Sequence, residues 1–460
     1  MKRLNSISVI FLLIILVLSA LLPYFSSLIP KKAPTSGVQR VILISIDSCN
    51  PEYISPTYMP NLYSRILRDG VKFKFANSIL PAETQSGHTT LLTGAYPSHN
   101  GIVGNGMYFP EDWKDPITNA TVYPEGTQIA TFIDPRLRTA KTIFEQFQSN
   151  ISIETAFISG KWRLLPLLSP GANLIFGNAR NGTMMVPPDY YMKVGAPFTY
   201  AEGDCLDIWS MNCLIEVVKN DPDIDFIFLN LAFLDDVQHN YATYNEMVLH
   251  QTRELDNLFL RLFNELEAIG EYDSTLFIVT ADHGADRSDY VLNLYETFEA
   301  SSSPHIEAHI FAEGQTAYIF LDNNSQLNDA VNFLENQEGI AFIVPRDNST
   351  LPGYSNYTAY NLYPYENRSG DIFVGTYENG ATIITPDIPF MLFGIHGGIS
   401  TMDVPLAFFG KNLNFKLELK GHEIQTQIPN TVDIYPTIAQ IMHWDLNLMT
   451  LDGEALYLTD

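Results

Sequence analysis

Residues 41–46, Val41-Ile42-Leu43-Ile44-Ser45-Ile46, form a near-continuous apolar run of strand length that ends at Asp47. A strand with one solvated face alternates polar and apolar side chains, whereas an unbroken run is what a parallel sheet covered on both faces requires. Residues 154–159, 226–233 and 275–280 carry runs of the same kind. Between the last two, Met247, Leu255, Leu258, Phe259, Leu262, Phe263 and Leu266 recur at helical spacing within residues 245–269. Strand alternating with helix predicts an α/β fold with a mainly parallel central sheet flanked by helices, in which sites gather beyond the carboxyl ends of the strands.

The chain has 460 residues, more than one hydrophobic core usually takes, so one large elaborated domain or a domain with a sizeable insertion is expected. Residues 39–286 and 391–460 read as the core. Residues 287–390 change texture, to short strand-like pieces at 317–321, 342–344 and 372–376, one helix at 328–336 and Asn/Tyr/Pro/Gly-rich connections, and read as an inserted α+β cap subdomain. Sheet and helix texture returns at 404–409 and 432–442.

Ahead of the core, Met1-Lys2-Arg3 precedes an uncharged stretch, 4–30, most apolar over 9–22, and then a short linker, 31–38. Residues 1–30 read as a signal peptide or an N-terminal transmembrane anchor, and the lack of a small-x-small cleavage site after the apolar run favours the anchor. Acceptor sequons at Asn119, Asn150, Asn181, Asn323, Asn348, Asn356 and Asn367 fit a glycosylated domain outside the cytoplasm, carried on a single-pass cell-membrane protein or secreted. Three cysteines make no disulfide scaffold; Cys205 and Cys213 are the pair to consider in an oxidising compartment. A formal net charge of -26 argues against nucleic acid as a structural partner and against an anionic membrane surface, because both repel it. The expected membrane contact is the N-terminal segment alone.

Chemistry-bearing residues follow the strand-like runs. Asp47 ends the first; Asp235 and His239 follow the run ending near Phe233; Asp282 and His283 follow the run ending at Thr280; His396 lies in the turn Gly394-Ile395-His396-Gly397-Gly398. One acid at a strand end is ordinarily a helix cap. Three strand ends that each deliver a carboxylate would repel one another at a single rim unless cations neutralise them. Mixed carboxylate and imidazole ligands suit borderline divalent ions such as zinc, with manganese and iron also admissible. Two such ions roughly 4 Å apart serve phosphoryl transfer. Thr84, shortly after Pro81, stands just before a run, residues 86–94 (SGHTTLLTG), that reads as the first turns of a helix closed by Gly94. A hydroxyl there is a helix cap or, with cations beside it, an oxygen nucleophile whose phosphorylated form rests against a helix start.

The set Asp47, Thr84-x-x-x-His88, Gly104-Asn105, Asp235-x-x-x-His239, Thr280-Ala281-Asp282-His283-Gly284 and Gly394-x-His396-Gly397 resembles the alkaline phosphatase superfamily, specifically its type I phosphodiesterase and nucleotide pyrophosphatase branch. The resemblance implies an alkaline-phosphatase-like core and a dinuclear site for zinc or manganese. By that similarity Asp47, Thr84, Asp282 and His283 hold one ion, and Asp235, His239 and His396 the other. It further implies Thr84 as nucleophile through a phosphothreonine intermediate, Asn105 as a donor to a non-bridging phosphate oxygen, and a small phosphate-ester or pyrophosphate substrate.

Some positions depart from the branch. Its nucleotide-cleaving members carry an aromatic residue directly after the nucleophile and another shortly before the acid of the second metal motif. Here those positions are Gln85 and Asn230, expected as substrate contacts of a different kind. Gln238-His239, the glycines after His396 and Lys161-Trp162-Arg163-Leu164 are similar to phosphonoacetate hydrolases of the same superfamily, whose lysines engage the substrate carboxylate, so Lys161 is a substrate-binding candidate. The expected activity is hydrolysis of phosphodiester or pyrophosphate bonds. Phosphonoacetate-hydrolase-like or phosphomonoesterase activity at the same site is the alternative; a phosphoethanolamine-type transferase or an inactive surface binding protein are the alternatives of another class. Selection of the leaving group is expected in residues 287–390 and in the loop 108–138. His305 and His309 read as loop residues, and His99 as ordering a turn.

Overall fold

The computed structural model describes residues 37–148, 153–178, 184–195, 204–299, 305–346, 351, 353, 366–378, 380–384, 393–444 and 451–459. The apolar N-terminal stretch and the sequons at Asn150, Asn181, Asn348 and Asn356 lie outside them; Asn119 and Asn323 are exposed. Among the described residues no helix is long and apolar enough to cross a membrane.

The four apolar runs become β1 (Arg40–Ile46), β2 (Glu154–Ser159), β3 (Ile224–Leu231) and β4 (Thr275–Thr280). They lie side by side in the order β4-β1-β3-β2 and are parallel throughout, within a sheet of nine strands among the described residues. Asp403–Phe409 pairs with the outer edge of β4 antiparallel, so the sheet is mixed. Every residue of β1 and β4 is buried, as unbroken apolar runs require when helices cover both faces. Ser45 is paired with Asn230 on one side and Thr280 on the other, so the three strands end at one rim. That register brings Asp47, the segment after β3 and Asp282-His283 to the same edge.

Three helices matter for the site. α1 (Thr84–Thr93) ends at Gly94 in the left-handed conformation, φ 64°, where a residue without a side chain closes a helix at little cost. The N-cap position is Glu83 rather than Thr84, so Thr84 begins the helix and its hydroxyl caps nothing. α2 (Asp204–Asn220) supplies Asp207, whose Oδ1 accepts from Ala232 N (2.8 Å) and Phe233 N (3.3 Å) at the start of α3 (Phe233–Tyr241). β3 therefore stops at Leu231, two residues before the expected end, because Phe233 is already helical. α4 (Glu246–Ile269) is capped by the Asn245 side chain and buries Leu255, Phe259, Leu262, Phe263 and Leu266; Met247, expected on that face, is 46% exposed in its first turn. Cys205 and Cys213 both sit on α2, eight residues and therefore about 12 Å apart along the helix axis, beyond disulfide reach. Cys213 is buried and free.

The chain leaves the core through Asp286–Arg287 and returns antiparallel beside it through Gly394–Ile395. Between them lies a four-stranded antiparallel sheet of β5 (Ala308–Glu313), β6 (Thr316–Leu321), β7 (Ile340–Pro345) and β8 (Ile372–Thr376), in the order β5-β6-β8-β7. Its two faces separate by strand alternation. Ile310, Ala312, Ala317, Ile319, Ile372 and Val374 build a core of their own with the helix Leu327–Glu335, while Phe311, Tyr318, Phe320 and Phe373 join the main core.

Candidate functional site

At the carboxyl rim, Thr84 Oγ1 lies 3.2 Å from His283 Nε2 and 3.4 Å from Lys161 Nζ. Lys161, two residues beyond the end of β2, extends its ammonium to Asp47 Oδ1 (3.0 Å) and Asp235 Oδ2 (2.7 Å). Asp235 Oδ1 is buried and accepts no hydrogen bond; facing it are His239 Nε2 at 3.4 Å and His396 Nε2 at 3.9 Å. Asp282 Oδ1 accepts from Ser48 N (3.2 Å), and its Oδ2 stands 3.3 Å from His283 Nε2. The expected ligands Asp47, Thr84, Asp235, His239, Asp282, His283 and His396 are thus brought together.

The histidines share one orientation. Nδ1 faces a backbone carbonyl in each: Gly394 O for His239 (2.8 Å), Gly284 O for His283 (2.9 Å) and Ala82 O for His396 (3.1 Å). A proton on Nδ1 satisfies each carbonyl and leaves Nε2 as a lone-pair donor aimed at the carboxylates, which is the tautomer a metal ligand needs. Two groups of potential ligand atoms result, Asp235/His239/His396 and Asp47/Asp235/His283, each within 4.8 Å of one another. A third, Asp47/His88/Asp282, adds a residue to which the sequence reading assigned no role. His88, one turn after Thr84 on α1, lies 2.9 Å from Thr84 O and 3.1 Å from Asp282 Oδ2 through Nδ1, and 2.9 Å from Ser45 Oγ through Nε2. Burial opposes its protonation, but Asp282 and Asp47 outweigh burial and raise its pKa.

Charge balance in this cluster is unequal. Burial, and then repulsion from Asp282, pushes the Asp47 carboxyl up to about 8 despite Lys161. Asp235 is also penalised by burial, yet Lys161 and the surrounding histidines hold it well below the usual carboxylate range. Burial lowers His283 to about 4, which keeps its Nε2 unprotonated at neutral pH. Burial opposes protonation of His396, but Glu83 raises its pKa to about 9. The three carboxylates buried at one rim and the orphaned Asp235 oxygen facing His239 Nε2 and His396 Nε2 fit a divalent cation.

Asn105 sits in the glycine turn facing the helix start. Its Oδ1 accepts from Gln85 N (2.9 Å), and Nδ2 donates one of its two hydrogens to Glu83 Oε2. Two expected substrate contacts are placed otherwise. The Gln85 side chain is sealed at 1% exposure, and Asn230, fully buried on β3, hydrogen-bonds Ser159 Oγ (3.0 Å) and Asp47 Oδ2 (3.4 Å). Asn230 thus stands behind Asp47 on the central strand. Lys161 is inside the cluster rather than on the surface. His309 stacks on Tyr108 at 3.8 Å, His99 pairs with Asp452, and neither belongs to a ligand group among the described residues. Glu83 and Glu313, which no motif singled out, are both buried against Asn105.

Comparison with known proteins agrees with this geometry. The profile of the type I phosphodiesterase / nucleotide pyrophosphatase family matches residues 41–398. The ectonucleotide pyrophosphatase/phosphodiesterase 2 of Saccharomyces cerevisiae is 22% identical over 382 residues, covering 77% of this chain and 73% of the relative. The phosphonoacetate hydrolase of Sinorhizobium meliloti, solved with phosphonoformate, has a TM-score of 0.64 at 20% identity over 86% of this chain and 94% of its own. Alkaline phosphatase PafA has a TM-score of 0.64 at 16% identity over 91% and 98%. These two structures support the fold. With the family profile spanning β1 through the His396 turn, the chain belongs to the type I phosphodiesterase / nucleotide pyrophosphatase family and is a phosphodiester-hydrolysing enzyme on an alkaline-phosphatase-like α/β core.

Proposed function

We propose that the protein cleaves a phosphodiester or pyrophosphate bond of a small molecule by transferring the phosphoryl-bearing half first to Thr84 and then to water. The observation that carries this reading is the surroundings of Thr84 Oγ1, a hydroxyl at the first position of a helix beside buried carboxylates, imidazole Nε2 atoms and the Lys161 ammonium. Asp235, His239 and His396 would hold one divalent cation, and Asp47, Asp282 and His283 with Thr84 a second; zinc, and after it manganese, suits that donor set. Two such cations, when bound, supply positive charge to the phosphate oxygens and lower the pKa of a hydroxyl or water.

The chain's own groups supply the rest. Thr84 Oγ1 gives its proton to solvent and attacks phosphorus in line while the bond to the leaving oxygen breaks, and that oxygen takes a proton from solvent. Asn105 directs its second Nδ2 hydrogen at a non-bridging oxygen, and the positive end of α1 favours the anionic phosphothreonine. Water then attacks the same phosphorus, Thr84 Oγ1 departs and regains a proton, and the phosphate monoester is released. Leaving-group selection falls to residues 287–390, as an inserted cap, and to the loop 108–138, where Thr131 N reaches Asn105 O at 3.1 Å.

Lys161 favours a second reading. An ammonium 3.4 Å from the nucleophile suits a substrate with an additional negative charge, such as a phosphomonoester or phosphonoacetate. Initial rates on bis-p-nitrophenyl phosphate, p-nitrophenyl phosphate and phosphonoacetate, with zinc or manganese supplied, decide between them. The diester is expected to be fastest; a faster monoester or phosphonate assigns the second reading, and no turnover of any of the three sinks the hydrolytic mechanism. The apolar N-terminal segment and the sequons support a catalytic body outside the cytoplasm, anchored by one span or secreted. Protection of that body from protease added to intact cells, with no mobility shift on deglycosylation, would refute this location.

A further inference from the structure

Two buried carboxylates that this mechanism does not use stand behind Asn105. Glu313 ends β5 at the turn into β6; its Oε2 accepts from Asn105 N at 3.2 Å and its Oε1 from Gly106 N at 3.0 Å. Glu83 lies on the other side, with Oε2 accepting from Asn105 Nδ2 and Oε1 3.1 Å from His396 Nδ1. The β5–β6 turn is itself seated on the His396 turn, because Gln315 N donates to His396 O at 2.8 Å. A side chain at Gly314 would overlap that carbonyl, and one at Gly104 would overlap the Glu313 carboxylate. The glycines at these two positions therefore allow the second sheet to touch the backbone of both Asn105 and His396.

A glycine-flanked asparagine in an open turn samples several backbone states, and each would aim its amide differently. Burial and the neighbouring Glu83 raise the Glu313 carboxyl well above the usual carboxylate range. A carboxyl group whose two oxygens accept from two successive backbone N–H groups removes that freedom, since it fixes the peptide planes on either side of the Asn105 Cα. Glu313 itself is buried, and a backbone N–H that loses its acceptor in a partly buried contact pays a desolvation penalty. We propose that Glu313 is a positioning residue for phosphate binding: it clamps the Asn105–Gly106 backbone so that Asn105 Nδ2, already turned by Glu83, presents its remaining hydrogen to the phosphate. The second sheet then sets the aim of a donor in the core, in addition to bordering the site. This inference rests on the role given to Asn105 above.

The test is a set of double-mutant cycles on the full-length enzyme with bis-p-nitrophenyl phosphate, reading kcat and KM separately, together with metal content per chain by elemental analysis. Removing an oxyanion donor outright costs about 10²–10³ in kcat, so loosening its support with Glu313→Gln is expected to cost about tenfold, with KM changed less. Gly104→Ala, which pushes on the Glu313 carboxyl group while leaving the glutamate in place, is expected to act in the same direction and carries the test if Glu313→Gln does not fold. In an Asn105→Ala background neither substitution should lower kcat further, and metal content should equal that of the wild type. The inference is overturned if either loss persists undiminished without Asn105, if metal content falls in step with activity, or if both variants keep wild-type kcat. Asn105→Ala with wild-type kcat refutes instead the role assigned to Asn105, so the two failures are told apart.

Discussion

Replacing Thr84 with alanine is expected to lower kcat on a phosphodiester by about 10³-fold or more, a loss of the size seen when a covalent nucleophile is removed. The expectation follows from where the hydroxyl points. Thr84 makes no capping bond to its own helix, and the contacts of its Oγ1 are with His283 Nε2 and Lys161 Nζ, both inside the site. Alanine is a good helix former at the first position of α1, so folding should be retained and the melting temperature should change little. The nearest other hydroxyl on that turn, Ser86, is occupied with Pro81 O and Glu83 O and faces away from the cluster. Thr84→Ser, which keeps an oxygen at the same place, should retain a measurable share of the rate, and acid quenching of the wild type with radiolabelled substrate should trap label on Thr84. Full activity of Thr84→Ala with metal supplied would mean that water attacks directly, and the two-step mechanism would fall.

Stripping divalent cations with a chelator should abolish turnover and also lower the melting temperature by a few degrees, with zinc or manganese restoring both. The physical ground is the carboxylate count. Asp47, Asp235 and Asp282 are all buried at one rim, and Lys161 reaches only two of them. The Asp235 oxygen that faces His239 and His396 has no hydrogen-bond donor, and a buried acceptor without a partner costs about 1–3 kcal/mol. For a domain of this size each kcal/mol moves the melting temperature by about 2 °C. Lys161→Met should widen the gap between stripped and loaded protein, because in the stripped state that ammonium is the charge between Asp47 and Asp235. A melting temperature and a rate both indifferent to chelation would exclude a metal site built from these residues.

How much could be read from the chain depends on the range over which each signal acts. β4 and β2 match the apolar runs residue for residue, and α1 closes at Gly94 as its local sequence predicts, though it starts at Thr84, two residues ahead of the helical run that begins at Ser86. β3 was misjudged at its end because FIFLNLAF is apolar throughout, while the switch to helix at Phe233 is decided by Asp207, 26 residues away, accepting the free N–H groups. Met247 matches the helical period but falls in the exposed first turn of α4, where no neighbouring element covers it. Asn230 and Gln85 align with substrate contacts by position in a motif; their burial depends on strands and helices packed from elsewhere. His88 was visible in the same motif, yet its bridge between Thr84 O and Asp282 appears only when α1 lies across the ends of β1 and β4.

The sequence by itself determined the parallel core and the identity of the residues at its rim. Burial on both faces demands unbroken apolar runs, and the polar residue that ends each run is then set at the edge by register alone. The tertiary structure alone decided how those residues are held. Glu313 and Asn105 are 208 residues apart and meet only when the second sheet docks on the core, while Glu83 touches His396 only because the chain returns beside its own point of departure. Hydrophobic periodicity reports which face of an element is buried and says nothing about which distant backbone it is buried against, so the candidate ligands were legible and the groups that hold them were not.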